Sequence, residues 1–240
     1  MKNFLLLILF AIFAKAHFLT LIPNTDNISD KKNNKLNIEA MFIHPFEQSG
    51  MHMEKPEGIF LNSKNNALEL KEIKRFDNLA WSTTYNIKRP GIYKFFTIPK
   101  PYFEPSEGKF ISHVPKIIVS AFGLEEGWDE PIGLKYEIIP MVKPFALYAG
   151  NLFQGKVLHN GKAAINVEVE VELYNEFGLK APSDAHITQV VKTDENGVFS
   201  FSMNHKGWWG FAALIEEGEK EYQGKKYPIE NGALIWVKAY

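Results

Sequence analysis

Short stretches in which apolar and polar residues alternate recur along most of the chain. Residues 167–174 alternate strictly, with valine or leucine at every second position and glutamate or tyrosine between them. This period of two predicts a strand with one dry and one wet face. Comparable stretches follow one another at roughly 8–12 residues, separated by turn-forming residues, and no long stretch has a helical period. The pattern predicts an all-β protein of two β-sandwich domains.

The pattern is interrupted near residues 143–151, where Lys-Pro-Phe and Ala-Gly-Asn segments follow each other closely. We therefore predict an N-terminal domain over residues 17–143 and a C-terminal domain over residues 151–240. The second half combines Gly-x-Val, Asn-Gly, alternating valines and Thr-Asp-x-x-Gly-x-Phe. This plan resembles small seven-stranded modules of the prealbumin or carboxypeptidase-regulatory type, which are immunoglobulin-like sandwiches.

The first residues have the parts of a secretory signal peptide. Lys2 precedes an apolar run over residues 4–13, and small residues occupy the −3 and −1 positions of a cleavage site between Ala16 and His17. An apolar run of about ten residues is too short to span a bilayer of roughly 30 Å as a helix. We expect residues 1–16 to be removed and the chain to be released into the periplasm. A retained anchor is the alternative.

Composition excludes several kinds of chemistry. The formal net charge is −1, and the loss of Lys2 and Lys15 makes it −3, so charge gives no argument for a nucleic-acid or anionic-membrane partner. The absence of cysteine removes thiolate zinc sites, cysteine nucleophiles and blue-copper centres. No Gly-x-Ser-x-Gly, His-Glu-x-x-His or phosphate-binding loop occurs. We therefore expect a protein that is not an enzyme.

Three histidines suggest a metal site. Cleavage after Ala16 would leave His17 with a free α-amine, which can chelate a transition metal ion together with its own Nδ1 atom. His44 and His113 each fall on the apolar face of a predicted strand. Neutral imidazole suits nickel, copper, zinc or cobalt. The alternative for His44 and His113 is a core histidine satisfied by a hydrogen bond.

Carboxylates and thioethers extend the list of candidate ligands. Glu104 and Glu107 lie in a predicted irregular loop shortly before His113, from which a carboxylate could reach the ion or hold an imidazole tautomer. Solvated loop charge is the alternative. Met51 and Met53 could supply soft sulfur ligands, or could simply pack against aromatic residues.

Several motifs surround these residues. They are His-Phe-x-x-Leu-Ile-Pro from His17, His-Pro-Phe-Glu from His44, Gly-Met-x-Met-x-x-Pro from Gly50, Pro-Tyr-Phe-Glu-Pro-x-Glu-x-Lys-Phe-Ile-x-His over residues 101–113, and Gly-Trp-Trp-Gly-Phe-Ala-Ala-Leu over residues 207–214. Together they resemble the periplasmic domain family associated with cobalt/nickel uptake transporters of the energy-coupling-factor type. Phe103 departs from this pattern, which commonly has tryptophan there.

The resemblance implies a nickel-uptake accessory protein. Such a protein would capture Ni²⁺, or Co²⁺ or Cu²⁺, and deliver it to the membrane-embedded subunits of an importer. It implies His17, His44 and His113 as ligands, with Glu104 and Glu107 in the nearby loop. Because the Irving–Williams order places Cu²⁺ above Ni²⁺, affinity alone does not name the physiological metal.

Two other functions are compatible with the residues. One is a copper-dependent histidine-brace oxidative enzyme, in which an N-terminal histidine is also a ligand and one face of the metal is open. The other is a metal-free β-sandwich that binds a carbohydrate or a protein. Reductant-dependent peroxide formation would favour the first. Full function after replacement of His17, His44 and His113 would favour the second.

Overall fold

A computed structural model describes residues 17–240 and confirms the all-β prediction. The predicted signal peptide, residues 1–16, lies outside the described residues. Helical structure in the described part is limited to two 3-10 turns, Lys31–Asn33 and Asp184–His186. Within that part, no helix is long and apolar enough to cross a bilayer.

Strands account for most of the described chain and are numbered here in chain order. They are β1 (Phe18–Pro23), β2 (Asn27–Ile28), β3 (Lys35–His44), β4 (Ser49–Met51), β5 (Ile59–Leu61), β6 (Ala67–Leu68), β7 (Lys71–Arg75), β8 (Asn78–Asn86), β9 (Gly91–Thr97), β10 (Tyr102–Glu104), β11 (Lys109–Ala121), β12 (Tyr136–Pro140), β13 (Leu152–His159), β14 (Lys162–Ala163), β15 (Glu168–Leu173), β16 (Gln189–Lys192), β17 (Val198–Ser202), β18 (Gly207–Tyr222) and β19 (Lys225–Ala239).

A long central sheet connects the two halves of the molecule. Its strand order is β16-β15-β18-β19-β11-β9-β5-β6, with β2 and β10 also paired to β11. A second sheet has the order β1-β3-β8-β7, with β4 on β3, and a third has the order β12-β13-β14, with β17 on β13. The central sheet therefore contains strands from both predicted domains.

Two apolar cores lie on opposite faces of the central sheet. The first contains Phe18 and Leu36 from the second sheet together with Trp236 from β19. The other contains Phe153 from the third sheet together with Phe211 from β18. Because side chains alternate between the faces of a strand, β18 and β19 contribute to both cores. One sheet thus continues through both halves of the chain, and the boundary at 143–151 stays a prediction.

Strand β15 follows the predicted alternation, but its polar face is not wet along its whole length. Val169 and Val171 are buried in the core beside the third sheet, as the pattern requires. Glu168 is exposed, whereas Glu172 on the same face is almost completely buried. The prediction of a wet face is wrong at Glu172, because the chain after β3 covers this end of the strand.

A buried ion pair ties the central sheet to the third sheet. Nζ of Lys116 on β11 donates to Oε1 of Glu137 on β12 at 2.7 Å, and both side chains are 1% exposed. The Glu137 carboxylate also accepts the backbone N–H groups of Ile132, Gly133 and Leu134. Burial alone would raise the pKa of Glu137, but Lys116 and these donors outweigh burial and lower it. The pair is thus fully hydrogen-bonded on its acidic side.

Replacing Glu137 with alanine should destabilise the protein strongly. The change leaves the Lys116 ammonium buried without its partner, which costs about 3–5 kcal/mol in comparable cases. The free energy of unfolding in denaturant measures the effect. Glu168→Ala is the matched control, because it breaks the exposed pair with Lys192 and should cost less than about 1 kcal/mol. Equal losses in the two variants would contradict this account.

Candidate metal centre

The ends of β1 and β3 bring two of the predicted histidines together. The antiparallel register pairs Phe18 with Ile43, so His17 and His44 lie side by side where the two strands meet. Their ring centroids are 4.6 Å apart. Pro45 follows β3 directly, as expected for a residue that favours extended geometry before it and ends a strand. The sheet register therefore places His44 beside the residue that would become the N-terminus.

A carboxylate holds one edge of the His17 ring. Nε2 of His17 lies 3.2 Å from Oε2 of Glu104, and the His17 side chain is 10% exposed. The other oxygen of Glu104 accepts from the backbone N–H and the hydroxyl of Ser106, at 3.0 and 2.5 Å. Glu104 was predicted to lie in an irregular loop. It instead ends strand β10, which forms a hairpin with β11. An N–H at Nε2 donated to Glu104 leaves Nδ1 as the acceptor nitrogen of His17.

All five predicted histidine and glutamate ligands share one electrostatic environment. Burial lowers the pKa of His17, and the neighbouring His44 and His113 lower it further, while Glu104 and Glu107 act in the opposite direction. The net effect is a lowered pKa, so the imidazole of His17 is neutral at pH 7. A neutral imidazole is the form that binds a metal ion.

His113 has one satisfied and one unsatisfied ring nitrogen. It lies on β11, is 3% exposed, and places Nε2 at 3.2 Å from Oε1 of Glu230. Its Nδ1 atom is buried and has no hydrogen-bond partner among the described residues. If Nε2 donates to Glu230, Nδ1 presents a lone pair to the interior. Buried polar atoms without a partner are uncommon and call for an explanation such as a bound ion.

Glu230 is a functional candidate that the sequence did not reveal. Its second oxygen accepts from Nζ of Lys109 at 2.5 Å, and the same ammonium lies 2.5 Å from Oε2 of Glu107. Burial would raise the pKa of Glu230, but His113 and Lys109 outweigh it and lower the pKa to about 2. Glu230 follows His113 by more than a hundred residues, and only the parallel pairing of β19 with β11 brings it close.

A glycine makes room for the His113 ring. Gly232 is the register partner of His113 across the β11–β19 pair. A Cβ atom at Gly232 would lie 2.7 Å from Cγ of His113 and closer still to Cδ2. The Cδ2 edge therefore rests on the backbone of β19. By ring geometry the Nδ1–Cε1 edge points away from that strand.

The two predicted methionine ligands are placed differently. Met53 is buried and lines a small cavity of about 40 Å³ together with His113 and Tyr102. Met51 is half-buried, is paired with Phe42 in the β3–β4 register and packs against the core. The structure thus brings Met53 to the neighbourhood of His113. It gives Met51 a packing role.

The described residues do not contain a complete metal cage. Within residues 17–240, no three His, Asp or Glu side chains already converge on one metal-sized point. The predicted donor set also needs the α-amine of His17, which is joined to Ala16 in the uncut sequence. What the structure assembles is a pair of imidazoles in contact and a third imidazole with an unpaired nitrogen. The carboxylates of Glu104 and Glu230 lie against the Nε2 atoms of His17 and His113.

In a comparison with protein families, residues 14–217 match the model described as "Domain of unknown function (DUF4198)". The chain belongs to this family. The match spans β1 to the middle of β18 and so includes every predicted ligand, but not Glu230. No curated protein matches the chain.

Solved structures with distant similarity to this DUF4198 protein include adhesin domains. The D0-D1 domain of intimin is 12% identical, with 92% of this chain and 97% of that chain covered and a TM-score of 0.25. A putative membrane anchored protein from Corynebacterium diphtheriae is 13% identical, with 92% and 59% covered and a TM-score of 0.27. The adhesin InvE from Yersinia pseudotuberculosis is 11% identical, with 89% and 58% covered and a TM-score of 0.24. At these TM-scores the similarities carry no inference about the site.

Replacing Gly232 with alanine should disturb the site and destabilise the fold. The new methyl group would overlap the His113 ring, and overpacking of this kind costs about 1–3 kcal/mol. Thermal or denaturant unfolding measures the loss. In the double variant Gly232→Ala/His113→Ala the overlap disappears, so the effects of the two changes should be non-additive. Strictly additive losses would contradict a direct contact between these residues.

Proposed function

We propose that this protein binds Ni²⁺, or Co²⁺, in the periplasm after export and delivers the ion to a membrane importer. The observation that carries the proposal is the buried, unpartnered Nδ1 atom of His113. It belongs to a histidine whose other nitrogen is held by a carboxylate, which is the usual arrangement of a metal-binding histidine.

The donor set would be rich in nitrogen. His17 would contribute its α-amine and Nδ1, and His44 and His113 would each contribute an imidazole nitrogen. A set of this kind suits square-planar Ni(II) or Cu(II). The lowered pKa of the His17 imidazole, caused first by burial, means that protons compete little with the metal for this ring at neutral pH.

The nearby carboxylates fit a supporting role better than direct coordination. Glu104 and Glu230 are engaged with His17 and His113 through Nε2, and each has a further partner, Ser106 or Lys109. In such positions a carboxylate fixes the imidazole tautomer and increases the basicity of the ligand nitrogen. Their negative charges also favour a divalent cation nearby.

Delivery to an importer rests on the motif resemblance, which covers the whole chain after residue 16. Nickel would be the cargo and not a resident cofactor, so no reaction is required of the protein. The copper enzyme and the metal-free binding module are the alternative functions, and experiments distinguish them from nickel delivery. A reductant-dependent release of peroxide by the copper-loaded protein would favour the enzyme.

The first experiment compares protein that begins at His17 with protein that carries one additional alanine before His17. Nickel binding, measured by calorimetry and by the visible absorption of the complex, should weaken by more than about 100-fold in the extended form. Loss of a direct ligand should exceed the roughly 10–100-fold cost of losing an outer partner. Both forms should unfold at the same temperature. Unchanged affinity and spectrum in the extended form would rule out the N-terminal chelate.

The second experiment tests the support of His113. Glu230→Gln keeps the shape of the side chain but removes its charge, and nickel affinity should fall by about 10–100-fold. Glu221→Gln, on the exposed part of the same β18–β19 hairpin, is the matched control and should bind nickel as the unaltered protein does. If both variants bind nickel equally well, Glu230 does not orient a ligand.

A further inference from the structure

Two carboxyl side chains project from β15 towards the space between the central and second sheets. Glu170 and Glu172 lie on the face of β15 opposite the second core, separated by roughly 6.6 Å along the strand. Their register partners on β18 are Ala212 and Gly210. Both partners are small, so no long side chain of β18 lies beside the two carboxyl groups, and the indole of Trp236 occupies the space over Gly210.

Glu172 is buried without a full set of partners. It is 1% exposed, and its Oε2 atom has no hydrogen-bond partner among the described residues. Its other oxygen accepts from the Thr188 hydroxyl at 3.4 Å, and the carboxylate also accepts a backbone hydrogen bond from Phe46. Burial raises the pKa of Glu172 well above its usual value, and Glu47 and Glu170 raise it further. A carboxyl group in this position needs a proton or a cation.

Glu170 connects this group electrostatically to the metal centre. Burial raises its pKa to about 7, and the groups that modify that value include His113, Glu230 and Glu107. Glu170 thus lies within electrostatic range of the histidine centre on one side and of Glu172 on the other.

The loop after His44 completes the arrangement. Nδ2 of Asn175 donates to the carbonyl of Phe46 at 3.1 Å, and the backbone N–H of Asn175 donates to the carbonyl of Pro45 at 3.2 Å. These bonds fix residues 45–48 against the end of β15. The exposed Glu47 is thereby held close enough to Glu172 for their charges to interact.

We propose that Glu170 and Glu172 form a second divalent-cation position, between the histidine centre and the surface at Glu47. The inference deepens the proposed function, on which it rests, because it gives the captured ion a place to occupy on entry or exit. Two carboxylates supply up to four oxygens, and water would complete the shell, so no third protein ligand is required. Carboxylate and water ligands suit hard divalent ions such as Mn²⁺ and would hold Ni²⁺ more weakly than the nitrogen donors do.

The test uses protein that begins at His17, loaded with one equivalent of Ni²⁺ and titrated with Mn²⁺. Electron paramagnetic resonance reports the free Mn²⁺. We expect the unaltered protein to bind one Mn²⁺, and Glu170→Gln/Glu172→Gln to lose affinity for it by about tenfold or more, since affinity follows the number of charged ligands. Glu168→Gln is the matched control, because Glu168 lies on the same face of β15 but is exposed and paired with Lys192. It should behave as the unaltered protein does.

The outcomes separate this inference from the proposed function. No Mn²⁺ binding by the nickel-loaded protein, or equal binding by the double variant, overturns the second position while tight nickel binding leaves the histidine centre standing. Absence of tight nickel binding refutes the proposed function itself. Glutamine preserves the shape of Glu172 and cannot ionise, so the variant should unfold at the same or a higher temperature. If it nevertheless fails to fold, Glu170→Gln alone carries the test with the same expected loss.

Discussion

The site depends on the parallel pairing of β11 with β19. These two strands meet over eight residue pairs, from Phe110–Ile229 to Ile117–Trp236. The pairing sets Gly232 beneath His113 and delivers Glu230 to its ring. It also fuses the two halves of the chain into one sheet, so neither half alone could present a supported His113. A parallel pair cannot be made by a local hairpin, and its contacts form only when the middle of the chain and its C-terminal part have come together.

The β10–β11 hairpin carries side chains that hold both parts of the histidine centre in place. Strands β10 and β11 carry Glu104, which holds His17, and Lys109, which fixes Glu230. The aromatic ring of Phe103 on β10 stacks on that of Tyr222 from the β18–β19 hairpin, with centroids 4.4 Å apart. The two hairpins that provide carboxylates are therefore attached to each other by an apolar contact outside the charged region. This contact restricts the freedom of both carboxylates before any ion is present.

From the sequence, the face of a strand on which a side chain lies could be predicted. The strand that lies alongside it could not. Period-two patterning placed His44 and His113 on apolar faces, and the structure buries His113 and puts His44 against His17. The pattern carries no information on which distant strand lies alongside, so Glu230 and the need for glycine at 232 could not be predicted. It also assigned Glu172 to a wet face, because alternation along one strand does not show that a loop from another part of the chain covers it.

The polar groups left unpaired on this face of the central sheet share a physical consequence. The Nδ1 atom of His113 and the Oε2 atom of Glu172 are both buried without partners among the described residues, and each such group costs roughly 1–3 kcal/mol. A cation that engages them recovers part of this cost, so ion binding and folding stability must be linked. The acidic groups around them act in the same direction, since Glu170 and Glu172 resist ionisation in the absence of a positive charge. Because the raised pKa values favour the protonated carboxyl groups, binding of a divalent ion there must release protons.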